Sequence, residues 1–269
     1  MAENLRKKND NVQMLRGLCC IFICLNHCLF FNKYSFGEIG VEFFIILSGL
    51  LTAANASRSP HLRKNYFLSK IRTILPLYWA VTIVVFALGK VLPQLFSSLE
   101  FDYLTLIKSL LLVPGNTFIL FPGWTLTYFF VFYLIYRIAD FVGEKRDLVA
   151  SLIIVLLVVL GKVAEIVFAD NLFSQYANPI LLEFVYGIVL WYLVGHIKTK
   201  NYEWLGWILL PVLFFNYNKY LGIRWIVPSI LTCIVILCFY NCDCQNRGGI
   251  SFYKRLEISL LQCIFCIQL

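Results

Sequence analysis

Runs of about twenty predominantly apolar residues, enough to cross a bilayer as a helix, recur along almost the whole chain. Eight segments have this character: 17–33, 37–56, 74–92, 123–140, 148–168, 179–195, 203–218 and 225–241. With 60% hydrophobic and only 14% charged residues, the chain departs from a soluble domain, which is typically about half apolar and a quarter charged. In lipid each backbone polar group must find a partner within the protein, which favours helices for segments of this length. The expected fold is therefore all-α, a polytopic transmembrane helix bundle. Residues 1–257 read as one membrane domain and 258–269 as an atypical tail.

Loop charge sets the expected topology. The stretch 104–121 contains Leu110-Leu111-Leu112 but is broken by Pro114-Gly115-Asn116 and by Pro122-Gly123. If it is not a span, the loops on the side of the N-terminus carry Arg58, Arg63, Lys64, Lys70, Arg72, Arg137, Lys145, Arg146, Lys198, Lys200, Arg247, Lys254 and Arg255. The opposite loops hold only Lys33, Lys90, Lys108, Lys162, Lys219 and Arg224. The positive-inside rule then predicts a cytoplasmic N-terminus in an inner membrane, with 104–121 as a peripheral or re-entrant piece on the outer side. The same rule accounts for the net charge of +8 without invoking nucleic acid. Of the ten cysteines, Cys242-x-Cys244 and Cys263-x-x-Cys266 imitate zinc spacing. The second pair lies in an apolar run without polar flanks, so no metal is expected.

The chemistry-bearing residues are those that lipid makes expensive. Arg16 and His27 are eleven residues apart, about three helical turns, and point the same way roughly 16 Å apart along the axis. Imidazole is the side chain best suited to move a proton near neutral pH. Glu42 opens the second span at a depth close to that of His27, where a carboxylate would orient the ring. Lys70 and Arg72 precede Pro76-Leu77-Tyr78-Trp79 at the inner end of the third span and suit the phosphates of an acyl-CoA. Glu183 is an intramembrane carboxylate of the sixth span, so it faces the bundle interior or a wet cavity. There is no Gly-x-Ser-x-Gly elbow, Walker loop or His-Glu-x-x-His helix. These residues alone leave a transporter and a membrane transferase level.

The ordered blocks resemble the membrane acyltransferase-3 family over roughly 12–257. Leu15-Arg16-Gly17 with His27 is similar to its opening motif. Gly40-Val41-Glu42-Phe43-Phe44-Ile45-Ile46-Leu47-Ser48-Gly49 is similar to its second. Phe67 through Lys70 with Pro76-Leu77-Tyr78-Trp79 resembles its basic segment. Pro122-Gly123-Trp124-Thr125-Leu126 with Phe132-Tyr133, Glu183-Phe184-x-x-Gly187 and Trp225-x-x-Pro228-Ser229 follow in order. The resemblance implies a core of about ten spans, an acyl-CoA donor such as acetyl-CoA, no bound cofactor, and delivery of the acyl group to a hydroxyl of a surface polysaccharide or its lipid-linked precursor. It also implies essential roles for Arg16 and His27.

On this resemblance His27 and Glu42 are the expected catalytic residues. Arg16, Lys70 and Arg72 are expected to bind the donor, and Asn26, Trp124 and Glu183 to line the acceptor cavity. Three departures stand out. Phe129 occupies a position usually held by glutamate, and Thr73 one usually held by arginine. After Leu256-Glu257 the family continues with a Ser-Tyr-rich span, which Ile258–Leu269 does not match. A truncation or frameshift is the expectation there, and an inactive paralogue or a membrane transport or structural protein is the alternative to an active enzyme.

Overall fold

The computed structural model describes residues 15–23, 36–58, 60–92, 94, 101–115, 118–169, 171–196, 202–217 and 226–240. Among them the fold is helical throughout, without strands. In chain order the helices are α1 (15–23), α2 (Phe36–Arg58), α3 (Pro60–Val91), α4 (Tyr103–Leu110), α5 (Gly123–Ala139), α6 (Arg146–Phe168), α7 (Leu172–Tyr176), α8 (Leu181–His196), α9 (Glu203–Asn216) and α10 (Val227–Tyr240). Among the described residues, four stretches are long and apolar enough to cross a membrane: Gly37–Ser57, Leu68–Val91, Gly123–Phe168 and Leu172–Val194. The third holds two of the eight expected spans, α5 and α6, joined through the 3-10 turn Asp140–Lys145, where Gly143 takes φ 72°. α9 and α10, with 14 residues each, fall short of full span length. Most of the expected first span, 24–33, lies outside the described residues.

The described residues divide into two compact units, one holding those up to Ala54 and those from Leu182 onward, the other those from Asn55 to Leu181. In the first unit α2 is the central rod. Ile39, Phe43, Ile46, Leu47 and Leu50 are buried at helical spacing and share a core with Leu15 and Cys19 of α1, Leu190 and Val194 of α8, and Val235, Ile236 and Phe239 of α10. The α2–α8 approach depends on two glycines. A Cβ built on Gly187 would lie 2.0 Å from the Ile46 carbonyl oxygen, and one on Gly49 2.2 Å from the Phe184 carbonyl oxygen. Small residues permit such backbone contact between membrane helices.

The second unit corrects one expectation. The basic segment before the third span is not a loop: α3 runs without a break for 32 residues, through Lys70, Arg72 and Pro76. Proline costs the helix the hydrogen bond to the carbonyl four residues back, which here belongs to Arg72.

As expected, 104–121 is no span. α4 has eight residues, about 12 Å of helix, and begins at Asp102, whose side chain accepts from the Leu104 amide at 3.1 Å. The end of α4 and the strap that follows are tied to their neighbours through their backbone. Tyr78 donates to the Ser109 carbonyl at 3.0 Å, Trp79 Nε1 to the Leu110 carbonyl at 2.9 Å, and Thr127 to the Leu112 carbonyl at 3.0 Å. On α6 the periodicity is inverted relative to a soluble helix. Ala150, Ile154, Val158 and Gly161 face inward while Leu148, Leu152, Leu156, Val159, Val163 and Ile166 are exposed. An apolar surface of that extent is one that lipid covers.

Candidate functional site

Glu42 is the second carboxylate of α2, after Glu38 and before the apolar run Phe43–Leu47, and it sits on the inward face between Ile39 and Ile46. It is 0% exposed. A carboxylate taken fully out of water needs hydrogen-bond donors, and two hydroxyls supply them. Tyr217 donates to Oε2 at 2.8 Å and Thr232 donates to Oε1 at 3.0 Å. Both donors are themselves buried, and they come from 175 and 190 residues further along the chain. Hydrogen bonds to an ionised acceptor are stronger than neutral ones, so the carboxylate is gripped from α2, the end of α9 and the middle of α10.

A second fully buried carboxylate, Glu183, stands in the first turn of α8, the end of a helix that favours negative charge. Cys233, next to Thr232 on α10, lies within electrostatic range of both Glu42 and Glu183. Unit one thus gathers both intramembrane glutamates singled out in the sequence around α10. Arg16 of α1 is half-buried, its guanidinium carbon 5.8 Å from the centroid of the Phe44 ring on α2. Asn26 and His27 lie outside the described residues, as do Cys242, Cys244, Cys263 and Cys266. Beside α1 is a small apolar crevice of about 10 Å³, lined by Leu15, Leu18, Phe22, Phe43, Trp207 and Phe239 among others. A volume of that size holds about one water, so it is a packing gap and not a substrate site.

In the second unit, Lys70 and Arg72 do not share a face of α3. Two residues apart on a helix, they point about 200° away from each other. Lys70 is half-buried with its ammonium 5.9 Å from the Tyr133 ring centroid on α5, whereas Arg72 is exposed. Phe129, in the position where the resemblance leads one to expect glutamate, packs its ring 6.2 Å from that of Tyr133. Here an aromatic pair meets the lysine where a carboxylate was expected. Trp124 is half-buried between Phe121 and Tyr128, with ring centroids 6.2 and 6.3 Å away.

Two groups of partners had no signal in the sequence reading. Tyr217 and Thr232 are ordinary residues of apolar helices until the fold brings Glu42 to them. At the α5–α6 corner, Arg146 and Asp147 are buried at 5% and 6% exposure. Arg146 pairs with Asp147 at 3.5 Å and Asp140 at 3.8 Å, and Tyr136 donates a hydrogen bond to Asp147. Arg137 and Arg146 had been read only as loop charge.

Long apolar helices with an inverted surface and a buried, doubly bonded carboxylate define an integral membrane protein with a polar centre. A family model described as an acyltransferase domain matches residues 9–253, and the chain belongs to that family, the membrane acyltransferase-3 family. It is similar to the exopolysaccharide production protein ExoZ of Rhizobium meliloti (strain 1021), 28% identical over 169 residues, which cover 59% of this chain and 51% of ExoZ. The chain therefore spans about half the length of that curated relative. No solved structure matches it.

Proposed function

We propose that the protein is an O-acyltransferase of the inner membrane that moves an acyl group, here read as acetyl, from acyl-CoA to a hydroxyl of a surface polysaccharide or its lipid-linked precursor. Membership of the family supports the reaction class, and the relative's name, an exopolysaccharide production protein, supports the acceptor class. The observation that carries the reading to a site is Glu42, fully buried and held by two hydroxyls in the segment that resembles the family's second motif.

In this reading His27 takes the proton of the acceptor hydroxyl or relays the acyl group, and Glu42 orients its ring. The hydroxyl oxygen forms the ester bond as the thioester carbon–sulfur bond breaks, and the proton ends on the released CoA thiolate. Lys70 and Arg72 supply cationic groups for the donor phosphates, with the N-terminus cytoplasmic. Asn26 and Glu183 are assigned to the acceptor path. The donor is consumed as a substrate, and no resident cofactor is invoked.

The test uses membranes from cells expressing the full chain, supplied with labelled acetyl-CoA and the cell's own glycan. Transfer of label into alkali-labile ester, lost in His27→Ala and Glu42→Gln, supports the reading. Undiminished transfer in both variants refutes the assigned roles. Substrate flux without esterification would make the protein a transporter.

A further inference from the structure

We infer that Tyr217 and Thr232 are positioning residues of the transfer reaction, acting through Glu42. This rests on the role of Glu42 given above. A carboxylate accepts hydrogen bonds from about four directions. Tyr217 at 2.8 Å on Oε2 and Thr232 at 3.0 Å on Oε1 take one direction on each oxygen. Two bonds to different oxygens fix the plane of the group, and with it the remaining acceptor directions. A carboxylate held by one bond could still swing about its last side-chain torsion, which is soft. Glu42, Tyr217 and Thr232 are 0%, 1% and 0% exposed, so bulk water does not reach these bonds.

The arrangement is a poor design for a mere staple between helices. An apolar trio of similar volume would join α2, α9 and α10 without the desolvation of a carboxylate, and such replacements in soluble proteins are often neutral or stabilising. The donors also differ in kind and origin. The phenol reaches in from the residue that ends α9, while the hydroxyl stands on the buried stripe of α10 with Ser229, Val235, Ile236 and Phe239. Each of those two helices therefore brings a hydroxyl to the carboxylate that α2 presents. Neither residue belongs to the six blocks that carry the family resemblance.

The experiment measures labelled-acetyl transfer against acetyl-CoA concentration in membranes carrying Tyr217→Phe, Thr232→Val, Thr232→Ser or Glu42→Gln. Rates are expressed per molecule of folded protein, counted by size-exclusion of the detergent-solubilised chain. The expected result is a fall of about tenfold or more in kcat for Tyr217→Phe and Thr232→Val, the scale of one hydrogen bond to a charged group. KM for the donor should move less than about twofold, since the loss is confined to the transition state. Thr232→Ser keeps the hydroxyl and should return most of kcat. Unchanged kcat per folded molecule in both Tyr217→Phe and Thr232→Val, with Glu42→Gln impaired, overturns this inference and leaves the role of Glu42 standing. So does a rise in KM at constant kcat, or a Thr232→Ser variant as slow as Thr232→Val. Full activity in Glu42→Gln removes the underlying reading itself.

Discussion

Replacing Gly187 by alanine puts a methyl group where α8 touches α2 backbone to backbone. The new Cβ would stand 2.0 Å from the Ile46 carbonyl oxygen, 2.7 Å from the Leu50 amide nitrogen and 2.9 Å from the Gly49 Cα. None of these atoms can rotate away as a flexible side chain would. To reach an ordinary contact of 3.4 Å the helices must part by about 1.4 Å, or the methyl must be taken up as strain. Overpacking of this kind costs about 1–3 kcal/mol, which at roughly 2–4 °C per kcal/mol for a chain of this size lowers Tm by roughly 2–12 °C. Glu183 lies one turn before Gly187 on α8 and Glu42 one turn before Ile46 on α2, so separation should disturb both carboxylates and reduce transfer activity. The assay is thermal unfolding of the purified, detergent-solubilised protein, with Gly206→Ala as the comparison. There the nearest atoms, at 2.8 and 3.0 Å, belong to the Phe239 ring, which can tip aside, and the loss should be less than half as large. Equal Tm for wild type and Gly187→Ala would show that the α2–α8 backbone contact is not tight, and the reasoning from it would fall.

Two further outcomes follow from the second unit. Asp147→Ala removes the carboxylate that both Arg146 and Tyr136 face and leaves a buried guanidinium undercompensated. Destabilisation of about 3–5 kcal/mol is expected, read as a Tm loss, whereas Arg146→Met with Asp147→Leu should recover most of it; a double variant no better than the single would refute the pairing. Because Lys70 turns toward Tyr133 while Arg72 is exposed, Lys70→Met and Arg72→Gln should differ. If the α5-facing side meets the donor, KM for acetyl-CoA rises about tenfold for Lys70→Met and less than threefold for Arg72→Gln, and equal effects would refute a single cationic face.

The all-helical architecture was legible because apolar runs of bilayer length admit few other solutions, and the bias of loop charge, more than the two Pro-Gly breaks, marked 104–121 as something other than a span. The start of α3 was not. A cluster of basic residues beside an apolar run reads as a topogenic loop, yet lysine and arginine are good helix formers, and Pro76 interrupts only one backbone bond. Glu42 and Glu183 announced themselves by the expense of a carboxylate in lipid. Their surroundings did not, because Tyr217 and Thr232 reach Glu42 across 175 and 190 residues of chain, a distance over which hydropathy carries no pairing information. Arg146 and Asp147 were hidden for the opposite reason: charges at a helix turn are usually solvated, and only the fold shows them enclosed between α5 and α6.

The length of α3 gives the cationic segment a mechanical property. Its 32 residues make a rod of about 48 Å, against a hydrocarbon layer of about 30 Å. A helix answers a change in bilayer thickness by tilting. Pivoting such a rod by five degrees about its far end sweeps the other end sideways by about 4 Å, the width of a hydrogen-bonded contact and more. Lys70 and Arg72 ride on that lever arm, a third of the way along it, so the lipid around α3 acts as a setting for where their charges stand.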